Sequence, residues 1–207
     1  MSLTTYGGLK TSVSSWTTYS DIASLVPDFV SWAHQEICRR LRATVMLTTA
    51  DLSITGATIA QPTGFIAVKR LYLDTSETPD LEVVSPEIAT RMNAQYATLT
   101  NPLSVAVQGT NLYFAPTFSG TPTGKLLYYK EPTALSDDAD YNAVMVKYPY
   151  LYLYGALEAA YAYKEDAEMS DRYGSRFGAL IEDINQRDAA AATSGPIRLN
   201  VSPATVV

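Results

Sequence analysis

Four groups of residues in this 207-residue sequence have types and spacings that chemistry uses. His34 and Cys38 stand four apart, a spacing that puts an imidazole and a thiol on one face of a helix, as the start of a metal site or of a catalytic dyad. Two ligands do not make a site, however, and the chain has no second histidine to supply a usual zinc set. Cys38 also lacks the Gly-framed turn that presents a nucleophile to a carbonyl; the pair reads as a half-buried helix position with a small thiol in the core. Asp137, Asp138 and Asp140 bunch like a calcium loop, but the EF-hand spacing and its following Gly and Glu are missing. They are expected to cap the helix that follows. TYGGLK at 5–10 has two adjacent glycines without the preceding strand or the Lys-Ser/Thr that a phosphate loop needs. Arg39, Arg40 and Arg42 are the densest basic cluster. They suit either the negative end of a helix dipole or a docking surface for an acidic patch on a partner. The expectation is a chain with no catalytic residues, no metal and no cofactor.

The elements that must position these groups fall into sections. In residues 1–45, a short helix over Tyr6 to Trp16 precedes a longer one, started by Ser20 and Asp21 with Pro27 in its first turn. Val26, Phe29, Val30, Ala33, Ile37 and Leu41 recur on it at helical spacing until about Arg42. Residues 46–135 change period. Val45–Ser53, Phe65–Asp74, Leu81–Val84, Leu103–Gln108, Asn111–Ala115 and Gly124–Lys130 are short runs rich in β-branched and aromatic residues and read as strands. Gln108–Asn111 suits a hairpin, and Ser85-Pro86-Glu87 a small capped helix ending near Asn93. Residues 136–194 return to helix, from Asn142 or Lys147 to Lys164 and then from Asp166 to Ala192. The last helix is one-sided, with Met169, Tyr173, Phe177, Leu180, Ile181 and Ile184 in its stripe. Gly195 and Pro196 stop it, leaving 195–207 as an extended arm. The fold class is α+β in one domain, 1–207: N- and C-terminal helices forming a bundle, a small central antiparallel β-rich insertion, and the C-terminal arm.

The helix near 147–163 is apolar almost all round: Tyr148, Leu151, Tyr152, Gly155 and Ala159 cover one face, and Tyr150, Leu153, Tyr154, Leu157 and Tyr161 the other. A helix without a polar face is buried on both sides. Either the chain itself covers both, or one side rests on a second protein, at a surface where tyrosine is favoured. On the second reading Tyr148, Tyr150, Leu153, Tyr154, Leu157 and Tyr161, with Arg39, Arg40 and Arg42, are candidate oligomer contacts.

Composition narrows the function classes. Net charge is -6, with 17% of residues charged, 47% hydrophobic and Tyr outnumbering Phe by 15 to 5. An acidic chain with no basic run is not built to neutralise phosphates, so specific nucleic-acid binding is not expected. One cysteine permits no intrachain disulfide. The N-terminal stretch has no apolar leader segment, and the most apolar segment, 148–163, is interrupted by Pro149, Gly155 and Glu158 and falls short of the ~20 residues that cross a bilayer. No membrane partner is expected.

Eight segments, in order, carry a resemblance: TYGGLK at 5–10, LVPDFVSWAHQEICRRLR at 25–42, QPTGFIAVKRLYLD at 61–74, VSPE at 84–87, LYFAP at 112–116, LLYYKEPTALSD at 126–137, YLYGALEAAYAYKED at 152–166 and GPIRL at 195–199. Together the series resembles the head-to-tail adaptor (head completion or connector) proteins of short-tailed bacteriophages. The resemblance implies a structural virion protein at the head–tail junction, present in the host cytoplasm during assembly. It implies a cyclic homo-oligomer, usually of twelve copies, beneath the portal protein, meeting tail nozzle or tail fibre proteins below, with DNA free to pass through its lumen. The arm that reaches the portal corresponds to Gly195, Pro196, Ile197, Arg198, Leu199 and Val201. Two other classes compete with this: a small hydrolase or nuclease built on carboxylates, and a soluble protein-binding module, which suits the tyrosine excess but not the ordered segments.

Overall fold

The structure is a computed structural model that describes residues 3–74 and 80–193; the arm at 195–207, with all six of its candidate portal contacts, lies outside the described residues. Helix α1 (Tyr6–Trp16) begins where the Thr5 side chain accepts from the Gly8 amide at 3.3 Å. A 3₁₀ turn, Ala23–Leu25, leads into α2 (Val26–Arg40), which has Pro27 in its first turn and no side-chain cap. Ser20 and Asp21 therefore do not start this helix; Asp21 pairs with Lys164 instead.

Seven strands follow: β1 (Leu47–Ser53), β2 (Thr58–Ala60), β3 (Phe65–Leu73), β4 (Glu82–Val84), β5 (Ser104–Gln108), β6 (Asn111–Ala115) and β7 (Thr123–Lys130). They make two sheets, with orders β1-β7-β3 and β2-β6-β5-β4. Every pairing is antiparallel except β4 with β5. The connection between those two strands carries α3 (Pro86–Gln95), and a helical crossover returns the chain to a sheet in the parallel sense. Ser85 caps α3 by accepting from the Ile88 amide. The β5–β6 hairpin closes with Gln108 opposite Asn111 and Gly109 at φ +58°, a left-handed conformation that glycine adopts without a Cβ clash. Both sheets contribute to one apolar layer: Leu52, Leu71, Leu126 and Tyr128 from the first meet Val105, Leu112 and Phe114 from the second. On the other face of the second sheet, Ala106 and Ala115 let Ala89 of α3 come close.

Helices α4 (Ala143–Lys147), α5 (Pro149–Tyr163) and α6 (Ala167–Thr193) complete the bundle. Both of the helix starts read from the sequence exist. Asn142 caps α4, and Tyr148, at φ -133° and ψ 64°, breaks the helix so that Pro149 can begin the next. Between α5 and α6, Glu165 takes φ +58° and Asp166 accepts from the Met169 amide as the new cap. The bundle core joins Leu9 and Val13 of α1, Val30 and Ile37 of α2, Leu153, Ala156 and Leu157 of α5, and Phe177, Ile181 and Ile184 of α6. Gly155 is the tightest point in it. A Cβ there would lie 2.8 Å from the Ala33 Cβ and 3.2 Å from the Phe177 ring, so α2 and α6 can both approach α5 only because the position is glycine.

Candidate functional site

The all-round apolar helix is covered by its own chain. Leu153 and Leu157 are 0% exposed and Tyr161 is 1% exposed, packed between α1, α2 and α6. This corrects the expectation that these three face a second protein: no surface remains on them to share. Tyr161 is further committed by stacking on Tyr173 (5.6 Å between ring centres) and by its hydroxyl, which donates to the Trp16 carbonyl. Tyr150 is exposed (49%), while Tyr148 and Tyr154 are half-buried. Tyr150 stacks on Tyr154 at 5.7 Å, so the N-terminal end of α5 presents an aromatic pair outward. Trp16, Trp32 and Tyr163 are exposed aromatics that helix-face reading did not single out as surface.

The three arginines divide by role. Arg42 Nη1 donates to the carbonyls of Cys38 (3.0 Å) and Leu41 (2.6 Å), which otherwise have no partner at a helix end. Arg39 forms a two-pronged pair with Glu36 one turn back. Arg40 is exposed and lies 6.0 Å from the centre of the Phe177 ring. It also faces Glu158, the one carboxylate of α5, which burial holds above its ordinary pKa against the opposing pull of Arg40.

The acidic trio does not cap the following helix, a correction to the sequence reading. Asn142 takes that position, accepting from the Met145 amide at 2.9 Å. The Asp140 carboxylate closes its own turn by accepting from the Ser136 amide, the Ser136 hydroxyl and the Asp137 amide (2.7–2.9 Å), and these bonds hold its pKa below the ordinary value. The backbone carbonyls of Asp138 and Asp140 accept from Gly7 and Tyr6, and the Asp138 carboxylate pairs with Lys10 at 2.6 Å. The loop 136–140 thus pins the N-terminus of α1.

His34 and Cys38 gain a neighbour that spacing does not reveal. Glu131, directly after β7, brings Oε1 to 3.5 Å from His34 Nε2 and 3.9 Å from Cys38 Sγ, while Sγ and Nε2 are 3.6 Å apart. On the other side of the ring, His34 Nδ1 is 2.9 Å from the Tyr152 hydroxyl, which accepts from Asn142 Nδ2 at 2.9 Å. Asn142 Nδ2 donates also to the Thr133 carbonyl. The network joins α2, α5, the start of α4 and the strand-to-helix loop. His34, Asn142 and Tyr152 are buried, Cys38 is intermediate and Glu131 is exposed. Burial, with the nearby Glu131 charge, pushes the Cys38 thiol up to about 12, so in this state it is not a thiolate nucleophile. Burial also raises the Tyr152 phenol, against the opposing hydrogen bond from Asn142. Beside this network a cleft of about 330 Å³ opens between Val45–Thr48, Lys130–Thr133 and Tyr141–Val144.

Within the described residues, then, the aspartates serve local structure and the arginines serve a helix end, an ion pair and an aromatic contact. The fold is a mixed helix-and-sheet framework. No described helix is long and apolar enough to cross a membrane. Comparison with known families adds the specific assignment. A family model described as SU10 adaptor protein matches residues 4–200, nearly the whole chain. The chain belongs to the SU10 adaptor protein family and is a structural adaptor of a bacteriophage. Among curated proteins, none matches the chain.

Proposed function

We propose that the protein is the head–tail adaptor of its virion, assembling as a closed ring of twelve copies beneath the portal protein and joining the capsid to the tail nozzle or tail fibres. The observation that carries this reading is the extent of the family match, which spans 4–200 and so includes both the helix-and-sheet framework and the Gly195–Leu199 segment. Identical copies meeting through two different faces close into a ring when the rotation between them divides the circle. Tyr148, Tyr150 and Tyr154 at the outer end of α5, together with Arg39 and Arg40, are the surface proposed for that contact. Exposed aromatic rings and arginine are the residue types that contribute most where proteins meet.

Gly195, Pro196, Ile197, Arg198, Leu199 and Val201 form the arm that docks on the portal. The excess of eleven acidic over five basic residues in 136–194 keeps the surface of this section from holding DNA that passes through the ring's lumen. The protein would sit at the head–tail junction, having accumulated in the host cytoplasm during assembly.

Mixing the purified chain with purified portal and imaging the product by electron microscopy tests the reading. A ring of density at the narrow end of the portal is expected. Absence of association across low and high ionic strength would overturn it. A chain truncated before Gly195 should keep its melting transition and lose portal attachment; retention of full attachment would remove the arm from the proposal.

A further inference from the structure

The meeting of His34, Cys38 and Glu131 is the one place among the described residues where a nitrogen, a sulfur and a carboxylate oxygen converge. Zinc bonds of about 2.0–2.3 Å at tetrahedral angles set ligand atoms about 3.4–3.6 Å apart. The separations here are 3.5, 3.6 and 3.9 Å. The longest involves Glu131, whose side chain is 52% exposed. We propose that His34 Nε2, Cys38 Sγ and Glu131 Oε1 bind a zinc-like divalent transition metal, with water at the fourth corner, as a cross-link between α2 and the end of β7.

The donor set argues for the class of ion. A thiolate and an imidazole together favour zinc over magnesium or calcium, which take oxygen ligands. The outer shell suits the role as well: the Tyr152 hydroxyl lies 2.9 Å from Nδ1 and fixes the ring, and in the tautomer with its proton on Nδ1 the Nε2 lone pair is turned toward Cys38 and Glu131. Asn142 in turn holds Tyr152, so the ring is oriented by two buried groups rather than by the metal alone. Of the three ligands, two come from one turn of α2 and the third lies 93 residues further on. Counting only the helix pair is why the sequence led to an expectation of no metal.

The test uses the full chain with any affinity tag removed and metal stripped by a chelator. Zinc chloride titrated by calorimetry should bind one equivalent, and saturating zinc should raise the melting temperature. Cobalt chloride should give the intense thiolate-to-cobalt absorption that reports a sulfur ligand. Cys38→Ser should abolish that absorption. Glu131→Gln, on a side chain exposed enough to change without disturbing the fold, should weaken zinc by at least about tenfold and reduce the thermal shift at a given zinc concentration. Tyr152→Phe should weaken it about tenfold through the outer shell alone. Absence of saturable one-to-one zinc binding, or binding that is the same in the wild type, Cys38→Ser and Glu131→Gln chains, would overturn the site and leave a hydrogen-bonded triad.

Discussion

The helical bundle and the pair of sheets are held together by different means. Among the described residues, 24 buried side chains form one continuous core in the bundle, with tyrosines stacked through it and a polar chain from Asn142 to His34 inside it. The sheets share a layer of ten buried residues, largely aliphatic, with a separate alanine contact under α3. A bundle that buries polar groups must satisfy each of them and so has one arrangement with low energy. A thin aliphatic layer between twisted sheets depends on area, and its register is set by the alternation along each strand, as in β7, where Gly124, Leu126 and Tyr128 point inward. The lesson is that the bundle is the more specified part of the molecule and the sheets the more tolerant one.

The largest test of that contrast is a pair of substitutions at fully buried phenylalanines. Phe177→Ala in the bundle and Phe114→Ala between the sheets should each cost about 3–5 kcal/mol, read from denaturant unfolding. Both tryptophans, Trp16 and Trp32, belong to the helical part. Tryptophan fluorescence therefore reports the bundle, and an equal shift for Phe114→Ala would show that the regions unfold as a unit. That outcome is expected because Ile66 and Tyr129 of the first sheet pack on the bundle core. Next, Asn142→Ala removes the cap of α4 and the partners of Thr133 and Tyr152. It should lower stability by about 1–3 kcal/mol in calorimetric melting, more than any polar change in the sheets.

Gly155→Ala would ordinarily favour a helix by about 1 kcal/mol, but the added methyl meets Ala33 and Phe177. The net change should be a loss of about 1–2 kcal/mol by thermal unfolding, since overpacking outweighs propensity. Smallest is the acid response of the 136–140 turn. The Asp140 pKa is lowered in the folded state, so its contribution is present above the unfolded value near 4 and fades as pH falls through the folded one. Asp140→Asn should flatten the loss of stability below about pH 4 while leaving the neutral-pH fold unchanged by circular dichroism.

The helices were legible because apolar positions on α2 and α6 repeat at their own period and because Pro27 and Ser85 punctuate the chain. Six of the seven strands were legible for the same reason. Thr58–Ala60 was not, being three residues with no buried side chain; it exists because β6 offers a free edge. The division into two sheets and the parallel β4–β5 pair were also hidden, since pairing partners are chosen across the fold. At the candidate site, the His34–Cys38 spacing was visible and its completion by Glu131 was not. A single glutamate after a strand carries no periodic signal.

The amino-acid sequence by itself determined the helix–strand–helix order, the acidic C-terminal section and the kinship with phage adaptors, because these depend on local pattern, composition and the order of segments along the chain. Only the tertiary structure decided which of these side chains reach a surface and which partners they meet. It buried Leu153, Leu157 and Tyr161 and left Tyr150 outside, and gave the cap of α4 to Asn142 rather than to an aspartate. It also brought Glu131 across to His34 and Cys38. Each of these is settled by which elements pack together, and that choice follows from the total surface buried and the polar groups satisfied, quantities that no stretch of local sequence contains.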